Sequence, residues 1–167
     1  MMTTRMDWRK APVALSALAM GIGLVLVLST GPAQAVDSSS GPSTSERLAN
    51  ARKWIDSKDW SRALYELNQA VREEPRNADV HNLLGYTYRK RATPDLAKAF
   101  EHYRMALRMN PDHKGAHEYI GEAYLMDNKP DEAEKHLAQL ERVCGNKACE
   151  EYVILAKAIT DHRAGKR

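Results

Sequence analysis

Small and large apolar residues return in register along this 167-residue chain. The segment Leu84-Gly85-x-x-Tyr88 is followed by Ala99-x-x-x-Tyr103-x-x-Ala106-Leu107 and then by Asn110-Pro111. Downstream, Ile120-Gly121-x-x-Tyr124 precedes Ala133-x-x-x-Leu137; upstream, Asn50-Ala51-x-x-Trp54 precedes Ala63-x-x-x-Leu67-x-x-Ala70-Val71 and Pro75. Steps of three and four residues keep such side chains on one helical face, so each copy reads as a pair of helices. The small residue of the first helix lies 12 positions before the alanine of the second in two copies, Ala51 to Ala63 and Gly121 to Ala133, and 14 before it in the middle copy, Gly85 to Ala99. The two extra residues fall around Arg91-Ala92-Thr93-Pro94, where a turn tolerates insertion. No stretch alternates with a two-residue period, so no sheet is expected.

The punctuation fits this division. Thr93-Pro94 reads as a cap followed by proline in a first helical turn, Lys129-Pro130-Asp131-Glu132 as another helix start, and Asn110-Pro111 as a helix end. Gly85, Gly121 and Ala51 are small where the two helices of a pair should cross, with Ala63, Ala99 and Ala133 small on the partner. Trp54, Tyr88, Tyr124, Leu67, Tyr103 and Leu137 are large enough to fill the spaces between pairs. Beyond Cys149, Tyr152, Leu155, Ala156 and Ile159 make an apolar stripe on a last helix, a lid for the exposed end of a stack.

This pattern resembles the tetratricopeptide-repeat family, whose signature combines Leu-Gly, an aromatic residue, an alanine, a large apolar residue and a closing proline. It departs from that signature at His81, where tryptophan is usual, at Gly145 in place of the third closing proline, and at Asn50 in place of leucine. The Cys-x4-Cys-Glu-Glu-Tyr ending is similar to that of small exported bacterial repeat proteins. The resemblance implies an all-α, right-handed α-α superhelix of about three hairpins, at 46–77, 78–113 and 114–145, with a capping helix at 146–162 and a disordered tail at 163–167. It further implies a concave groove, formed by the first helices, that takes an extended peptide or a partner's helix. Carried over by helical spacing, its lining is Leu48, Arg52 and Ile55, then Asn82, Tyr86 and Arg89, then Glu118, Glu122 and Leu125. A family clamp for C-terminal carboxylates is not expected, because Glu118 and Glu122 would repel that group.

Composition adds the cell biology. A short basic stretch ends at Arg9-Lys10, an apolar run extends from about Val13 to Leu28, and Ala33-Gln34-Ala35 supplies the small residues of a cleavage site, so 1–35 reads as a signal peptide cut between Ala35 and Val36. Export to a bacterial periplasm is expected, with retention as an inner-membrane anchor through residues 11–28 as the rival reading. Met6 is an alternative start to Met1. Residues 36–45 are rich in Ser, Gly, Pro and Thr and read as a flexible linker.

Arg5, Arg9, Lys10 and Asp7 precede the apolar run, leaving 22 basic and 21 acidic residues, a balance that gives no reason to seek nucleic acid. Cys144 and Cys149, five apart, are expected to form a disulfide in an oxidising compartment. Closing so small a loop contributes at most about 2 kcal/mol. His81, His102, His113, His117, His136 and His162 look scattered, with His113 and His117 read as a surface pair and not as metal ligands. No nucleophile setting is recognisable, so neither an enzyme nor a cofactor is expected. The function inferred is a protein-interaction scaffold; the alternatives are a membrane-tethered, self-associating organiser, a homodimer in its simplest form, and a metal-binding accessory protein.

Overall fold

The structure, a computed structural model, describes residues 41–166. The expected signal peptide, its cleavage point and linker residues 36–40 lie outside the described residues. Seven helices follow in order: α1 (Thr44–Asp56), α2 (Trp60–Glu73), α3 (Ala78–Lys90), α4 (Leu96–Met109), α5 (Lys114–Met126), α6 (Pro130–Cys144) and α7 (Glu150–Arg163). There is no strand among the described residues, and none of their helices is long and apolar enough to cross a membrane. The helices pair as α1/α2, α3/α4 and α5/α6. Each of α3 and α5 also meets the second helix of the preceding hairpin and the first helices on either side. The last helix, α7, packs on α5 and α6 as though it opened a fourth hairpin.

Local chemistry sets the helix ends. Thr44 and Ser45, assigned to the linker on composition, open α1 because Ser43 and Glu46 close a reciprocal capping box. Asp59 and Asp95 cap α2 and α4 by accepting from the amides of Arg62 and Lys98. The cap expected at Thr93 is thereby corrected to Asp95, and Thr93-Pro94 stays in the turn, where proline disfavours a helical conformation at the residue before it. The turns at 57–59 and 127–129 each place their middle residue, Lys58 or Asn128, at positive φ (59° and 57°). The α3/α4 turn spans 91–95 and therefore holds the two additional residues.

The core is shared between hairpins. Leu48, Ala51, Leu67 and Ala70 of the first hairpin pack with Val80 and Leu84 of α3. Ala99, Phe100 and Tyr103 of α4 pack with Ile120 and Ala123 of α5. Leu125, Ala133 and Leu140 pack with Leu155 and Ile159 of α7. Burying a side chain of this size contributes about 1.5–3 kcal/mol, and here much of each contribution depends on the neighbouring hairpin being present. Cys144 at the end of α6 is joined by a disulfide to Cys149 at the start of α7, with Gly145 (φ 69°) between them supplying the left-handed residue that ends α6.

The two repeat glycines have different partners. A Cβ at Gly85 would lie 2.6 Å from ring carbons of Tyr103, on the partner helix of the same hairpin, as the spacing requires. At Gly121 it would lie 2.6 Å from a methyl of Leu155, on α7. Gly121 therefore makes room for the lid as well as standing on the helix that pairs with α6.

The histidines are not scattered. Nδ1 of His81 lies 3.1 Å from Nδ1 of His102, and Nδ1 of His117 lies 2.9 Å from Nδ1 of His136. His81 and His117 direct Nε2 to the carbonyls of Pro75 and Pro111, at 3.0 and 2.9 Å. A carbonyl only accepts, so these Nε2 atoms carry hydrogen and their Nδ1 atoms accept from Nδ1–H of His102 and His136. Tyr88 stacks on His102 and Tyr124 on His136. In the first hairpin, the same two positions hold Arg47 and Glu66, an ion pair at 3.2 Å. The reading of His113 and His117 as a surface pair is corrected as well: His117 is buried against His136, while His113 caps α5 and bonds Asp79.

Two outcomes are expected. Gly85→Ala should cost about 1–3 kcal/mol in urea denaturation, because the buried Tyr103 ring cannot move aside. Gly121→Ala should cost less, since the branched end of Leu155 can rotate. Burial, and then the partner ring, holds His102 below its ordinary pKa and pushes His136 down to about 4. The unfolded chain thus binds more protons between roughly pH 6.5 and 4, so stability should fall as pH drops through that window. Melting temperatures at pH 7 and pH 5 should differ less in His136→Gln than in the wild type.

Candidate functional site

The first helices of the three hairpins meet along one side of the stack. A cavity of about 260 Å³ is lined there by Arg52, Ile55 and Asp56 of α1, Leu83 and Tyr86 of α3, and Tyr119 of α5. A second cavity, of about 550 Å³, shares Ile55, Asp56 and Tyr86 and reaches Trp60 and Lys90. Apolar and aromatic side chains thus form the floor, with Arg52 and Asp56 exposed at the rim.

At the centre stands Arg89, which is only 4% exposed. Its Nε donates to the hydroxyl of Tyr103 at 3.3 Å, and its guanidinium lies 5.4 and 5.7 Å from the ring centres of Tyr86 and Tyr119. Nη2 approaches a carboxylate oxygen of Glu122 at 2.5 Å, an ion pair without the angle of a directed hydrogen bond. The two tyrosine rings are 4.8 Å apart. Burial pushes the Tyr119 hydroxyl up to about 12 and raises the Tyr86 hydroxyl as well, so the guanidinium lies between two neutral rings.

Eight of the nine residues assigned to the groove by spacing divide into three groups. Arg52, Ile55 and Tyr86 line the cavity between the first helices. Arg89 and Glu122 pair with each other across α3 and α5. Leu48 is corrected to the core, because α3 covers it, and Leu125 packs mainly with α6 and α7, with one edge on a separate cavity beside Met126 and Ala158. Asn82 is buried too, its Oδ1 without a hydrogen-bond partner and its Nδ2 near Gly115 at the start of α5.

Glu118 is a different case. It is 7% exposed and has no ion-pair or hydrogen-bond partner among the described residues. Burial, reinforced by Glu122, Glu151 and Glu150 and opposed by Arg89, pushes its carboxyl up to about 7. Asp56, Leu83 and Tyr119 were not recognised in the sequence as lining residues. The signal available was their one- or two-residue displacement from positions that were recognised, but which neighbour is presented depends on how adjacent first helices lean together.

Two family models described as tetratricopeptide repeat match the chain, one over residues 48–108 and one over 91–143. The chain belongs to the tetratricopeptide-repeat family. No curated protein matches it. Tetratricopeptide repeats generally mediate protein–protein interaction, and the helix pairs, the glycine–tyrosine crossing and the face of first helices are the parts of that module present here.

Glu118 also gives a stability test. Because its pKa is raised in the fold, the proton it keeps stabilises at low pH, and that contribution is lost as pH rises from 4.5 through about 7. Glu118→Gln should therefore stabilise the protein at pH 8 by roughly 1–3 kcal/mol, with little effect near pH 4.5, as read from urea denaturation at the two pH values.

Proposed function

We propose that this protein is a scaffold of the cell envelope that holds an extended peptide or a helix of a partner protein along the face of α1, α3 and α5. The observation that carries the proposal is the cavity to which three successive first helices each contribute, with Ile55, Leu83, Tyr86 and Tyr119 as its apolar and aromatic surface. Aromatic side chains offer large contact area at small entropic cost, and a charged rim sets register more than affinity. Export rests on the basic-apolar-small order of residues 1–35, and the Cys144–Cys149 disulfide is in keeping with an oxidising compartment.

A second reading, self-association, has its own support: Val153 and Ile154 stand exposed on α7, the last helix of the stack. Sizing the full chain against Val153→Asp separates the two, since a mass that halves assigns this end to a copy of the protein.

The groove is tested by placing a photoreactive phenylalanine analogue at Tyr86, and at Tyr65 on α2 as a control, in the exported protein. Specific adducts to one partner from position 86 and none from 65 are expected. The reverse pattern would remove the groove from consideration.

A further inference from the structure

The charged groups of the groove change from one repeat to the next. In the middle hairpin the chain supplies its own cation: Arg89 lies between the Tyr86 and Tyr119 rings and against Glu122. One repeat later the position of Arg89 is taken by Leu125, which packs into the core. The carboxylate of Glu118 faces that next interval, where the first turn of α7 contributes Glu150 and Glu151. No cation among the described residues forms an ion pair with Glu118, and Arg89, a positive group that acts on it, is already held by Glu122.

Two independent features make this more than an acidic patch. The Glu118 side chain is more than nine-tenths buried, a costly place for an unpartnered carboxylate. Yet its oxygens are not among the buried polar atoms sealed from solvent without a partner, a set that contains Asn82 Oδ1 and Arg89 Nη2, so they remain reachable from outside. A recessed, accessible acceptor with further carboxylates above it matches a group that brings positive charge and several N–H donors.

We propose that the α5–α7 end of the groove receives an arginine or lysine side chain of the bound polypeptide, with Glu118 as its acceptor and Glu151 and Glu150 as the field that draws it in. The guest's cation would occupy, one repeat on, the role Arg89 fills within the chain. This rests on the groove being the peptide-binding face, and it names what that face selects. Neutralisation by the guest also relieves the repulsion among Glu118, Glu122, Glu150 and Glu151, so binding and stability of the lid are coupled through one charge.

The test uses the full chain displayed against a random ten-residue peptide library at pH 8, followed by competition of the selected peptides with crosslinking at Tyr86. The expected result is enrichment of arginine or lysine at one peptide position. Replacing that residue by glutamine should weaken binding about tenfold, and Glu118→Gln should weaken the parent peptide equally while leaving the glutamine peptide unaffected. The preference should fade below pH 7 as Glu118 takes up a proton, with Glu122 on α5, Arg89 on α3 and Glu150 and Glu151 on α7 as the other charges facing it.

Selected peptides that compete at Tyr86 but carry no enriched cation, or keep their affinity in Glu118→Gln, would overturn the cation site while leaving the groove intact. Failure to obtain any peptide that competes at Tyr86 would overturn the groove itself. A rise in melting temperature with calcium alone that Glu118→Gln abolishes, without cation enrichment in the peptides, would assign the carboxylates to a metal ion and also sink the proposal. Circular dichroism of Glu118→Gln establishes that the variant is folded.

Discussion

Each hairpin leaves an apolar surface that only the next hairpin covers. Leu48 and Leu67 are sealed by Val80 and Leu84, Phe100 and Tyr103 by Ile120, and Leu125 and Leu140 by Leu155 and Ile159. None of the three clusters lies within one helix pair, so stability accumulates along the stack, and the chain needs an element such as α7 at its end. The close approach that makes this burial possible depends on residues without bulk. Tyr103 reaches full burial because Gly85 presents no side chain, and Leu155 seats on α5 because Gly121 presents none.

A second layer of interaction recurs at one place in every hairpin, four residues before the small residue of the first helix and three after the alanine of the second. It is filled by Arg47 and Glu66, by His81 and His102, and by His117 and His136. A charge pair and an imidazole pair serve the same end, tying the two helices of a hairpin at one register position. Acid weakens both, by different events: an imidazole dyad with both Nδ1 atoms protonated faces hydrogen to hydrogen, whereas an arginine–carboxylate pair is lost when the carboxylate is neutralised. Glu118 opposes the histidines, because its fold-raised pKa stabilises the protein as it is protonated. The histidine dyads and Glu118 therefore contribute to the pH dependence with opposite signs.

The face of first helices combines an ion-paired centre with an end whose carboxylate has no ion-pair partner among the described residues. Arg89, Glu122 and two tyrosines form a rigid, charge-balanced centre. Toward α1 the surface opens into an aromatic and aliphatic cavity, and toward α7 it becomes acidic. In the proposed scaffold, a paired centre flanked by two unlike ends would give a guest chain a direction as well as a surface.

The fold was legible because its information is periodic. Glycine, alanine and aromatic residues return at set intervals, and the two-residue insertion in the middle copy could be placed in its turn from spacing alone. The pairing of Cys144 with Cys149 was likewise accessible from proximity in the chain. Tertiary structure decided everything that depends on which neighbour a residue meets. The histidine dyads join positions 21 and 19 apart, at a repeat register whose pairing shows only once the two helices lie side by side. Gly121 accepts Leu155 of α7, and Leu48 and Leu125 are claimed by neighbouring helices and largely removed from the face of first helices. Helical periodicity fixes the direction of a side chain relative to its own axis, but its burial, its partner and its proton affinity depend on what packs against that axis, and that is settled only when the hairpins stack.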